Sequence, residues 1–192
     1  MGAIDRRDIR FLALESLMVL LGVLVALFVD EWRQASAADA EAEAAVLRLA
    51  EEVRQNLREL NELDSVAAYR LGLLDDLEPE LDGSQSLASM VGRFGGYRSP
   101  DLARSAWERI STGQVADRLP AAFREDAFRL YALHRYFDRL DEHVDRLVFS
   151  EAFHEPSRAP IALAISRRIM AQQRVWAQEF VPKHEAFLNA AR

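Results

Sequence analysis

The chain is predicted to be all-α, an N-terminal transmembrane helix followed by an antiparallel helical bundle. Three features predict this. A 19-residue apolar run, Phe11–Val29, carries Glu15 as its one ionisable residue. Beyond it, apolar residues recur at three- and four-residue steps, the period of a helix with one buried face. No alternating strand pattern of useful length occurs. With 192 residues, the chain has room for one compact core and an appendage.

Residues 1–33 are expected to form a short cytoplasmic N-terminus and the membrane anchor. At about 1.5 Å per residue the apolar run is ~28 Å long, close to the ~30 Å hydrocarbon core of a bilayer. Arg6, Arg7 and Arg10 precede it, and Asp30, Glu31, Trp32 and Arg33 follow. Trp32 is placed as an interfacial anchor, where an amphipathic ring seats among headgroups. Three basic residues lie before the span, against Arg33 and Arg48 within about 20 residues after it. That bias predicts a bacterial inner membrane protein with a cytoplasmic N-terminus and a periplasmic C-terminal domain. A cleaved signal peptide would use Ala35-Ser36-Ala37, but the charged segment Asp30–Gln34 is unusual before a cleavage site. A twin-arginine signal at Arg6-Arg7 fits poorly, because Asp8 and Arg10 interrupt the apolar positions that should follow.

Three positions in the span are candidates for membrane-helix packing. Gly22 and Ala26 have the small-xxx-small spacing that lets another helix approach closely. Glu15 lies about one turn inside the run, where a carboxylate either reaches the interface or finds a partner in a neighbouring protein. No histidine lies in the span, so it lacks the usual side-chain ligand of a haem or chlorophyll metal.

Residues 34–192 are expected to form the soluble helical domain. A long helix over about 35–78 carries Val46, Leu49, Val53, Leu57, Leu60 and Leu63 on one face, with Glu51, Glu52, Arg54, Arg58 and Glu59 on the other. Pro79 and Gly83 end it. The glycines over 79–99, with Pro100 just after them, predict a loop. Ser99-Pro100-Asp101 reads as the start of a helix over about 100–112, with Ser99 as cap and Gly113 at its end. A further helix over about 121–153 carries Phe123, Phe128, Tyr131, Phe137, Leu140, Val144 and Leu147. Pro156 and Pro160 close it. The last runs over about 160–180, and Pro182 should leave a short terminal stretch.

The chemistry-bearing residues form no recognisable constellation. The chain has no cysteine, which excludes disulfides, thiolate metal sites and a cysteine nucleophile. His134, His143, His154 and His184 include no pair at the spacing of a helical zinc site, and surface or capping positions are expected for them. A spatial cluster of His134 or His143 with Asp138 or Asp141 is the metal arrangement that spacing leaves open. Gly92-Arg93-Phe94-Gly95-Gly96 has no preceding strand and no following Lys-Ser or Lys-Thr, so it reads as a loop rather than a phosphate cradle. No Gly-x-Ser-x-Gly turn presents a nucleophile. Asp75-Asp76 and Asp141-Glu142 diverge by about 100° around their helices and read as solvated. Phe123, Phe128, Tyr131, Tyr136 and Phe137 are expected in the core rather than around a pocket. No catalytic residue, metal site or cofactor is therefore assigned.

Residues 1–33 hold four Arg and five Asp or Glu, so the net charge of -7 lies almost wholly beyond them. An acidic domain repels phosphate, and nucleic acid is not expected as a partner.

The segment Glu15–Arg33, in which an acidic residue opens the span and a Trp-containing polar segment closes it, resembles the anchor of an uncharacterised family of bacterial single-pass membrane proteins. Ala106–Gly113, followed by aromatic-rich helix, is similar to that family's middle region. The resemblance covers about two thirds of the chain. It implies an N-terminal anchor with a helical soluble domain, and no activity.

The role expected is a non-catalytic accessory or scaffold subunit of a larger integral-membrane complex, a photosynthetic or respiratory assembly being one setting. Its partners would be the bilayer and other integral-membrane subunits. The alternative is a freestanding periplasmic sensor or ligand-binding membrane protein. Only about ten residues precede the span, too few for a cytoplasmic output domain. A tethered enzyme ranks last for want of a nucleophile, base and oxyanion donors.

Overall fold

The computed structural model describes residues 6–191, with side chains over 15–191 apart from Gln114. The described chain is helical, without strands, and divides into two units, Met1–Ala44 and Ala45–Arg192. Helix α1, Arg6–Leu77, enters both. Pro79, which lacks an N–H and opposes α conformation in the residue before it, follows directly in a short 3-10 turn, Glu78–Glu80.

In the first unit the apolar side chains from Leu17 to Val29 are exposed on every side of α1, by 46% at Val29 to 70% at Phe28. Among the described residues no helix is long and apolar enough to cross a membrane. The reason lies in the bounds of the run. Leu17–Val29 at 1.5 Å per residue reaches only ~20 Å. The side chains of Phe11–Leu14, which complete the expected 19 residues, lie outside the described residues, as do those of Arg6, Arg7 and Arg10.

The second unit is built on the C-terminal part of α1, α4 (Ala121–Val148) and α6 (Ala159–Ala190). Shorter pieces connect them: α2 (Val91–Phe94), α3 (Ser105–Thr112) and α5 (Glu151–His154). Leu60, Leu63, Phe137, Ala177 and Phe180 form one part of the core. Leu74, Leu77, Leu87, Met90, Phe94, Leu147, Phe153 and Met170 belong to another.

Helices α4 and α6 are antiparallel: Phe123 meets Phe187, and Phe137 meets Phe180. Helix α1 also opposes α6, since Asp64 pairs with Arg174 while Asp75 and Glu78 pair with Arg167. It follows that α1 and α4 run in the same sense. The segment between them, not a helix, supplies the opposing direction: a strap over residues 97–104, outside any helix, leads back along α1 to α3. Two left-handed glycines turn the chain into it, Gly95 at φ 77° and Gly96 at φ 66°, conformations that other residues adopt only with strain.

Three expected boundaries are corrected. The helix anticipated from about residue 100 begins at Ser105, because side chains of other helices hold the backbone of the strap. The helix anticipated to Phe153 breaks at Phe149. Phe153 lies six residues beyond Leu147, about 240° round a straight helix, so the break turns it into the core, where it is 3% exposed. Burying it stabilises by roughly 2 kcal/mol. The last helix continues past Phe180 to Ala190, through Pro182. Phe180, His184 and Phe187 share one buried face, and their packing outweighs the hydrogen bond that proline removes.

Candidate functional site

The buried polar residues of the second unit are Glu52, Asn56, His134, Ser166, Gln173 and His184. Three of them serve the strap. A segment outside helices and strands must find other mates for its backbone. Asn56 provides two: its Nδ2 donates to the Ala103 carbonyl at 2.9 Å, and its Oδ1 accepts from the Ala103 N–H at 2.8 Å. Gln173 Nε2 donates to the Arg98 carbonyl at 2.8 Å. Ser166 Oγ donates to the Ala162 carbonyl at 2.7 Å, which leaves the Tyr97 hydroxyl to donate to Ser166. Burial pushes the Tyr97 phenol up to about 12. Charged clamps lie outside these: Arg98 on Glu59 and Glu62, and Arg104 on Asp138.

Glu52 is the most heavily used. Its carboxylate accepts from the Ala106 N–H at 2.7 Å, the Trp107 N–H at 3.2 Å, the Ser105 hydroxyl at 3.1 Å and the Tyr131 hydroxyl at 2.6 Å. The two backbone donors are unpaired N–H groups of the first turn of α3. Glu52 thus caps that helix from α1, where a negative charge meets the positive end of the helix dipole. Tyr131 stacks on Trp107, ring centroids 5.5 Å apart. Burial raises the Tyr131 phenol above its ordinary range, and accepting its proton in a hydrogen bond makes Glu52 raise it further. With both oxygens occupied by structural donors, Glu52 is a joint between α1, α3 and α4. Its expected place on the solvated face of α1 is corrected.

His134 and His184 lie beside this joint, fully buried, their rings parallel within 5° and 5.8 Å apart. His184 Nδ1 pairs with the Phe180 carbonyl at 2.9 Å. Neither nitrogen of His134, nor Nε2 of His184, has a hydrogen-bond partner among the described residues. Burial is the main cause that pushes His134 down to about 3; His184 and Arg104 add to the fall, and Asp138 opposes it. Burial also lowers His184, against the pull of the Phe180 carbonyl. The pair is neutral at pH 7, and a proton placed on either ring would meet an apolar site and a second imidazole.

Surface or capping positions were expected for all four histidines, and His134 and His184 overturn this. The signal was present: His134 follows the stripe Leu130, Tyr131, Phe137, and His184 the stripe Ala177, Phe180, Phe187. His143 and His154 are exposed, bonded to the Arg139 and Val148 carbonyls. Among the described residues no group of three or more His, Cys, Asp or Glu is placed to hold a metal ion. Asp138 and Asp141 go instead to Arg104 and Ser99. Of the aromatic residues expected in the core, Tyr131 and Phe137 are buried, whereas Phe128 is 60% and Tyr136 40% exposed.

Glu15, Gly22, Ala26 and Trp32 all lie on exposed surface of α1 in the first unit. A Cβ added at Gly22 would meet nothing within 4 Å, so the small-residue face has no mate among the described residues. No known family matches this chain, and neither does any curated protein or solved structure.

Proposed function

We propose that the chain is a single-pass membrane protein, anchored by Phe11–Val29, that acts as a non-catalytic accessory or scaffold subunit of a larger integral-membrane complex. One observation carries this reading. Eleven large apolar side chains between Leu17 and Val29 stand 46–70% exposed around the whole circumference of α1. Leaving them in water forfeits on the order of 10 kcal/mol of apolar transfer free energy. A core-facing helix would expose one stripe; apolar residues all round suit a lipid environment. With the four residues before Glu15 the run regains a spanning length of ~28 Å. Three arginines before the run favour a cytoplasmic N-terminus and a periplasmic helical domain.

The open face at Gly22 supports a protein neighbour within the bilayer. The joint at Glu52 supports a structural rather than catalytic domain, because its carboxylate is used by four internal donors. The test is purification of the tagged full-length protein from its native membrane in mild detergent, with mass spectrometry of what accompanies it. One defined complex in stoichiometric amount is expected, and Gly22→Leu should reduce its recovery. Recovery of the protein alone overturns the subunit reading. Release from membranes by alkaline carbonate overturns the anchor.

A further inference from the structure

A groove of about 680 Å³ runs between the C-terminal half of α4 and the N-terminal half of α6. Its size falls within the ~300–1,000 Å³ of small-molecule sites. Leu147, Ile165 and Trp176 contribute apolar floor, and Arg139, Arg146 and Arg168 line its sides. Among the described residues that line it, none is Asp or Glu.

Several other arginines of the unit stand against carboxylates, among them Arg93 on Glu80, Arg167 on Asp75 and Glu78, and Arg174 on Asp64. Arg146 uses only Nε, on the Glu142 carbonyl at 3.1 Å, and Arg139 rests over the Tyr136 ring. Neither these two nor Arg168 has a carboxylate within ion-pair distance among the described residues. Arg139 and Arg146 stand two turns apart on α4, ~10 Å along one face, and Arg168 lines the groove from α6. Guanidinium forks with free N–H groups above an apolar floor match a ligand with an anionic head and a hydrocarbon tail. The net charge of -7 does not oppose this, since exposed charges beyond about 8–10 Å are largely screened.

We infer that the α4–α6 groove binds a single-chain amphipathic anion, its phosphate or carboxylate held by Arg146 and Arg168 and its alkyl chain laid on Leu147, Ile165 and Trp176. The site is separate from the apolar run of α1 and goes beyond the anchoring role.

Isothermal titration of the full-length protein in phosphatidylcholine nanodiscs tests it, with decyl phosphate as probe and empty nanodiscs as blank. One saturable site per chain is expected. Decanol, which has the tail alone, and inorganic phosphate, which has the head alone, should each bind at least about tenfold more weakly. Arg146→Gln and Arg168→Gln should each weaken the probe severalfold. Both side chains are exposed, so the fold should persist, as circular dichroism would verify. Ile165→Glu, at a position 40% exposed, should weaken it similarly by placing a carboxylate on the floor. The inference is overturned by no saturable heat above the blank, by equal affinity for decanol or inorganic phosphate, or by three variants that bind as the wild type does.

Discussion

Replacing Glu52 by alanine isolates the contribution of the joint between α1, α3 and α4. The substitution removes the acceptor of four hydrogen bonds while the donors stay where the fold puts them. Loss of the cap on the Ala106 and Trp107 N–H groups should cost about 1 kcal/mol. The Tyr131 hydroxyl, on a residue 6% exposed, is left without its acceptor, which costs roughly 1–3 kcal/mol. The Ser105 hydroxyl can turn to water and should add little. Together these predict a loss of about 3 kcal/mol, a large part of the 5–15 kcal/mol that typical domains possess. Equilibrium urea unfolding followed by far-ultraviolet circular dichroism measures it, and the emission of Trp107, stacked on Tyr131, reports the local change.

A second variant separates cap from hydroxyl. Tyr131→Phe alone should cost about 1 kcal/mol, the net worth of one hydrogen bond. In the Glu52→Ala background it should be neutral or restorative, because it removes the orphaned hydroxyl. Loss of less than about 0.5 kcal/mol in Glu52→Ala, or strict additivity of the two changes, would refute the account of Glu52 as a buried joint.

Acid should weaken the second unit through His134. An unfolded imidazole titrates near 6.5 and the folded one at about 3, so folding favours the neutral ring. The stabilisation is complete above about pH 6.5 and falls as pH drops toward 3, by at most ~1.4 kcal/mol per unit. Lowering the pH from 7.5 to 5 should remove about 2 kcal/mol on this account, and His134→Leu should flatten the dependence; an unchanged slope in urea unfolding would contradict it. Pro182 is exposed within α6, and Pro182→Ala should restore a backbone donor and raise stability by up to about 3 kcal/mol; an unchanged or lower unfolding midpoint would count against that. Asn56→Leu should cost about 2–4 kcal/mol by orphaning the Ala103 N–H and carbonyl together, read as a lower midpoint and faster amide exchange over the strap.

Much of the helical architecture was legible because periodicity reports a buried face wherever it is sustained. The stripe Leu49, Val53, Leu60, Leu63 along α1 is an example, and all four residues are buried. Pro79 ended α1 as its chemistry requires. Helix boundaries were less legible where long-range contacts competed with local signals. Ser99-Pro100-Asp101 has the chemistry of a helix start, yet Ser99 bonds to Asp141 and the helix begins five residues after Pro100, at Ser105. Pro182 has the chemistry of a helix stop, yet Phe187 finds Phe123 beyond it.

The sequence by itself determined the helical class, the apolar run of α1 and much of the buried stripe of α1, because these depend on residues three or four positions apart. Only the tertiary structure decided the use of the polar residues. Glu52 and Asn56 lie on the same stripe as Leu49 and Leu60, where a polar side chain is tolerable only if partners reach it. Those partners are the backbone of Ala103, Ala106 and Trp107 and the Tyr131 hydroxyl, distant in sequence. His134 and His184 likewise meet only when α4 and α6 pack antiparallel, and the arginines of the groove stand without carboxylates only because of which residues that packing brings beside them. A hydrogen bond or ion pair depends on where two groups are placed, and for groups far apart along the chain that placement is a property of the fold.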